Sequence, residues 1–142
     1  MSRLSRFWVL VLGCVFWILP VSGRAQVAQD QELTYKDLKF ACTGVAESKE
    51  DPRWGKYSTK LMFTTGGRAY VSYIQLSVKD AQGNLVFETD CDAPWIVVDL
   101  KPGKYSLTAT ALKKYTKTAN LTVGGGKQTE LAIRFPEISG DM

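Results

Sequence analysis

Two-residue alternation of apolar and polar side chains, repeated in short segments over residues 56–135, is what most restricts this chain. Residues 95–111 show it best. Ile96, Val98 and Leu100 share one parity, so an extended backbone puts them on one face. Beyond Pro102-Gly103, the residues Tyr105, Leu107, Ala109 and Ala111 repeat the pattern, with Ser106, Thr108 and Thr110 on the other side. This reads as strand, turn, strand.

Five more segments carry the same period. Tyr57, Thr59, Leu61 and Phe63 form one face, and Tyr70, Ser72, Ile74, Leu76 and Val78 another. Leu85, Phe87 and Thr89 lead to Cys91 at the same parity. Residues 115–123 and 131–135 complete the set, and Pro136 stops the last segment. Turn signals separate them at 65–68, 79–84, 112–114 and the three glycines 124–126. No long amphipathic helix intervenes. The expectation is an all-β chain, a seven-stranded antiparallel Greek-key β-sandwich over residues 56–136. Pro102 presets φ for a turn, and Gly103 accepts the positive φ that a type II turn needs next. A type II turn does not suit the twist of a tight hairpin. The stretch is therefore either a corner where the chain changes sheet or an ordinary hairpin loop.

The N-terminus has a different character. Arg3 and Arg6 precede an apolar run over residues 7–19, and Pro20 is followed by the small residues Gly23 and Ala25. This is the layout of a secretory signal peptide, cleaved after Ala25. An apolar run of 13 residues covers about 20 Å as a helix, short of the ~30 Å hydrocarbon core, which disfavours a membrane anchor. The membrane is then met only through the transient leader, and the mature protein is expected in the periplasm or outside the cell. The leader holds three of the 18 basic residues and none of the 14 acidic ones, so its loss lowers the net charge from +4 to +1. The remaining balance supports no nucleic-acid partner.

Residues 26–55 are expected to be an irregular N-terminal segment, disordered over 26–31. Leu33, Tyr35, Leu38 and Phe40 follow no clean period, although an edge strand over 38–41 and a short helix over 46–49 are compatible with them. Residues 137–142 read as a polar tail. After loss of Cys14 with the leader, Cys42 and Cys91 remain, and an even pair in an exported chain reads as one disulfide. Two free buried thiols are the competing reading.

The chain has no histidine. That removes Ser-His and Cys-His nucleophilic sites and the usual zinc sets, and no motif gathers other catalytic groups. No cofactor or metal is expected, and no catalytic residue is assigned. The acidic run 88–92 matches no calcium-loop spacing and reads as a solvated face. Lys101, Lys104, Lys113, Lys114, Lys117 and Lys127 read as edge-strand protection against aggregation rather than a polyanion site. Val71 and Tyr73 have the parity opposite to Ile74, and Trp95 and Val97 the parity opposite to Ile96. With Trp54 they make a candidate interaction surface, unless residues 33–55 lie over that face and bury them.

Gly83, the run Asp92-Ala93-Pro94-Trp95 and the run Leu100-Lys101-Pro102-Gly103-Lys104-Tyr105 with its following strand resemble the carboxypeptidase regulatory-like domain. The sequence is similar more narrowly to small exported Gram-negative proteins of this type, which also share the segment 57–78. The likeness spans roughly residues 42–135. Ala93 replaces a glycine of the pattern, and Arg68-Ala69 alters one Gly-x-Tyr spacing. The resemblance implies a prealbumin-like sandwich in which Leu100, Pro102, Gly103 and Tyr105 are structural, used as a non-catalytic accessory. The function expected is therefore a binding module for another envelope protein or a cell-wall polymer. The alternatives are a structural subunit of an envelope assembly and a small enzyme without a recognisable motif.

Overall fold

The computed structural model describes residues 26–67 and 69–138; the expected leader, 1–25, lies outside the described residues. Among the described residues the structure is all-β, with nine strands rather than seven. They are β1 (Leu33–Tyr35), β2 (Leu38–Thr43), β3 (Thr59–Thr65), β4 (Ile74–Asp80), β5 (Leu85–Cys91), β6 (Trp95–Val98), β7 (Gly103–Ala111), β8 (Tyr115–Val123) and β9 (Thr129–Phe135). Two short 3-10 helices, Ala46–Glu50 and Pro52–Lys56, sit between β2 and β3.

The strands form two sheets, ordered β1-β2-β6-β3-β9 and β5-β4-β7-β8. Strands β3 to β9 correspond to the seven alternating segments of the sequence. The extra pair, β1 and β2, comes from the segment expected to be irregular. β2 is no edge strand: it pairs with β6 on one side and β1 on the other. Nor is the arrangement purely antiparallel, because β3 and β9 pair in parallel, from Thr59 opposite Thr129 to Thr65 opposite Phe135.

Alternation becomes burial. Leu61, Phe63, Leu76, Val78, Phe87, Ile96, Val98, Leu107 and Ala109 face into the gap between the sheets and form one core. Ser106 and Thr108 stay exposed on the outer face of the four-stranded sheet. Edge strand β8 places Lys117 on its inward-facing parity, where it pairs with Glu137. An inward-pointing charge of this kind blocks addition of another strand. Ile138, at the start of the expected polar tail, is buried.

The stretch between β6 and β7 is a corner, since β6 belongs to one sheet and β7 to the other. Gly103 has φ 157°, nearer to extended backbone than to the ~80° of a type II turn. The corner is held instead by Tyr105, whose hydroxyl donates to the carbonyl of Lys101. Leu100, on the near side, is buried in the core. Of the four motif residues, Leu100 and Tyr105 thus anchor a change of sheet, while Pro102 and Gly103 lie exposed at the corner.

The disulfide Cys42–Cys91 joins β2 to β5, one strand from each sheet, with Cα atoms 5.7 Å apart. Beside it the N-terminal segment is tied to both sheets. The Val27 N–H donates to the Asp90 carbonyl (3.2 Å), and the Asp30 N–H to that of Cys42 (2.8 Å). Residues expected to be disordered are therefore placed by the free edge of β5.

Just past β2, Gly44 has φ 95°, and a Cβ there would lie 2.5–2.9 Å from Trp95 side-chain atoms. Left-handed backbone and absent side chain are both required. Gly44→Ala is expected to cost about 3 kcal/mol, from backbone strain plus overpacking. Chemical denaturation should show a lowered midpoint at unchanged slope.

Candidate functional site

The surface proposed from sequence parity is mostly interior. Trp54, Val71, Trp95 and Val97 are buried, and only Tyr73, 52% exposed, lies open. The reasons differ by residue. Val97 and Ala41 do point away from the main core, but the second 3-10 helix folds over them. Trp54 and Tyr57 join them in a second apolar cluster on the outer face of the five-stranded sheet. Several polar contacts pin this cover. The Trp54 indole N–H donates to the Ser48 carbonyl (2.8 Å), and the Gln128 amide donates to the carbonyls of Trp54 (2.7 Å) and Tyr57 (3.1 Å). Asp51 caps the helix by accepting from the Arg53 backbone N–H (2.9 Å). Burial pushes the Tyr57 hydroxyl pKa up to about 12.

Trp95 is sealed by its neighbours. Tyr70 meets it edge-on with ring centroids 6.2 Å apart, and the Lys60 ammonium lies 3.7 Å from its ring centroid. Val71 reaches the main core because the strand does not run through it. Tyr73 adopts φ 59°, a left-handed conformation, so β4 begins only at Ile74 and the parity upstream is reset.

The strand register then shows where the remaining exposed apolar side chains gather. β2, β3, β5, β7 and β9 end, and β4, β6 and β8 begin, at one end of the sandwich. Loops at that end carry Val45, Tyr70, Tyr73 and Leu112, four of the five large exposed hydrophobic residues among those described. The fifth, Leu85, lies at the opposite end. The same loops hold Ala46 (φ 49°), Tyr73 (φ 59°), Leu112 (φ 54°) and Lys113 (φ 57°), four of the six described non-glycine residues with positive φ. The Leu112 N–H donates to the Tyr73 carbonyl at 3.1 Å, joining two of the loops. Leu112 and Lys113 are the central residues of a tight β7–β8 turn whose φ values glycine or asparagine would take more cheaply. Strain of this kind collects at functional loops.

An open cavity of about 400 Å³ adjoins these loops, lined by Gln26, Tyr73, Ile74, Gln75, Asp90, Cys91 and Lys113. It offers one aromatic ring, two amides, a carboxylate and an ammonium. The acidic run contributes Asp90 to this cavity, while the Asp92 carbonyl accepts from the Gln29 amide. Among the described residues, no group of three or more His, Cys, Asp or Glu could hold a metal ion. The turn motif lies away from this end, beside a smaller hollow of about 190 Å³ that Leu100, Lys101 and Tyr105 line with Asp37 and Leu85. There Lys101 pairs with Asp37 (2.9 Å), and its hydrogen bond holds the Asp37 carboxyl below the usual carboxylate range.

No sequence signal marks the left-handed Tyr73, Leu112 and Lys113. Tyr73 was reachable through its parity, Tyr70 has the parity of the Ile74 face yet is exposed because β4 begins only at Ile74, and Val45 and Leu112 carry no pattern that singles them out. No helix among the described residues is long and apolar enough to cross a membrane. No protein-family model matches the chain, and no curated protein sequence matches it.

Proposed function

We propose that this protein is an exported, non-catalytic β-sandwich module that binds a protein or an envelope polymer through the loops at one end. The observation that carries this reading is the gathering of Val45, Tyr70, Tyr73 and Leu112 in the loops of a single end, on a domain whose other apolar faces are covered. Loops on a rigid sandwich are the usual place for recognition, and exposed aromatic side chains suit it. The buried disulfide supports a periplasmic or secreted location, since such bonds persist in oxidising compartments. The resemblance to the carboxypeptidase regulatory-like domain, with its Greek-key connections, points to the same accessory role. Seven consecutive strands divided three and four between two sheets, and the Tyr105 corner, are compatible with it.

A photocrosslinking residue placed at Tyr73 in the exported protein should capture one abundant species, and the same residue at Thr108, on the polar face of β7, should not. Equal capture from both positions, or none from Tyr73, rejects the proposal. The double change Leu112→Asn with Lys113→Gly should meanwhile raise stability by about 1–2 kcal/mol, because it relieves two left-handed residues. It should also reduce capture at Tyr73, which thermal melting and crosslink yield report separately.

A further inference from the structure

Asp90 has an unusual side chain. Its Oδ1 is buried and has no hydrogen-bond partner, although a carboxylate oxygen withdrawn from water normally has one. Lys113 lines the same cavity, yet no ion pair joins the two residues. Gln75 faces Asp90 across the sheet from β4, and the start of the mature domain runs along the other side of β5. Gln26 lines that cavity too, and the Val27 N–H donates to the Asp90 carbonyl at 3.2 Å. The Gln26 nitrogen, one residue earlier, is at most about 3.6 Å of chain from the Val27 nitrogen, and Gln26 and Asp90 line one cavity.

We propose that removal of the leader creates the missing partner: the new α-ammonium of Gln26 pairs with Asp90. Before cleavage that nitrogen is an amide with a single N–H, held to the Ala25 carbonyl. After cleavage it carries three donors and a positive charge, and it turns freely about its own bond to Cα. A charge-assisted bond to a partly buried carboxylate is among the stronger single contacts open to it. It latches the segment that ties β5 to β2 beside the Cys42–Cys91 disulfide. Because Tyr73 lines the same cavity, processing also completes one wall of the loop end proposed above for binding. The inference rests on cleavage after Ala25, which is measured separately from the pairing.

The test uses protein purified from the compartment to which it is exported, with its first residue identified by intact mass. Its melting is compared with that of a form retaining Ala25 ahead of Gln26, each with and without Asp90→Asn. The mature form should melt higher by roughly 3–6 °C. Asp90→Asn should abolish the difference, and Lys113→Gln should preserve it. Independently of any variant, the Gln26 amine should react with an acylating reagent at pH 7 about tenfold more slowly than the amine of the Ala25 form. A difference that survives Asp90→Asn, one lost in Lys113→Gln, or equal acylation rates overturn the pairing. A mass that begins elsewhere, or that shows loss of ammonia through cyclisation of Gln26, removes the ammonium and overturns the proposal at the processing step.

Discussion

Leu107→Asp abolishes the cooperative melting transition of the domain; that is the expected result of placing a carboxylate at the centre of the four-stranded sheet. Leu107 is 0% exposed, opposite Val78 on β4 and Ala119 on β8, with its side chain inside the main core. Loss of the leucine costs about 3 kcal/mol. A buried carboxylate with no partner adds roughly as much again, whether it stays charged or takes up a proton. The total, about 6 kcal/mol, approaches the whole stability of a domain this size. Thr108→Asp, one residue along, is the matched control. Thr108 is exposed on the other face of the same strand, so this variant should melt within a few degrees of the parent. Near-normal melting of Leu107→Asp would mean that the faces of β7 have been assigned the wrong way round.

The second large effect is expected from the disulfide. Cys42 and Cys91 are 49 residues apart in sequence and hold β2 against β5. In the chain-entropy description, removing a cross-link over a loop of that length frees the unfolded chain by about 4 kcal/mol. The double change Cys42→Ser with Cys91→Ser should therefore lower Tm by on the order of 15 °C. It should also loosen residues 27–30, whose backbone bonds reach both bridged strands. Hydrogen exchange at Val27 and Asp30 reads this directly. Non-reducing peptide mapping should recover the linked pair, and two alkylatable thiols in exported protein would contradict the bond.

What could be read from the amino acids, and what could not, follows from where alternation holds. Strands with one wet face declare themselves: β7 alternates Ser106, Thr108 and Thr110 against Leu107, Ala109 and Ala111, and it folds that way. β2 did not, because Phe40, Ala41, Cys42 and Thr43 are all buried, so both faces of the strand are covered and no polar period survives. β1 is only three residues long. The parity argument at Val71 failed at one residue, Tyr73, whose left-handed backbone leaves no trace in a side chain chosen from the β-formers. Val97 has the parity opposite to Ile96, and with Trp54 it lies in the second apolar cluster, outside the main core. The choice between a partner and the chain's own cover was settled by the second 3-10 helix and its bonds to Gln128. The parallel match of β3 with β9 is a long-range register that no local pattern encodes.

That match has a kinetic consequence. The first strand after the helical cover has β6 on one side, but on the other it is matched only by the last strand made, with Thr59 waiting for Thr129. Loop closure over such distances slows assembly, because chain entropy is lost before contacts compensate for it. A nascent chain lacking its final strand leaves one side of β3 unpaired, so the five-stranded sheet cannot be completed during synthesis.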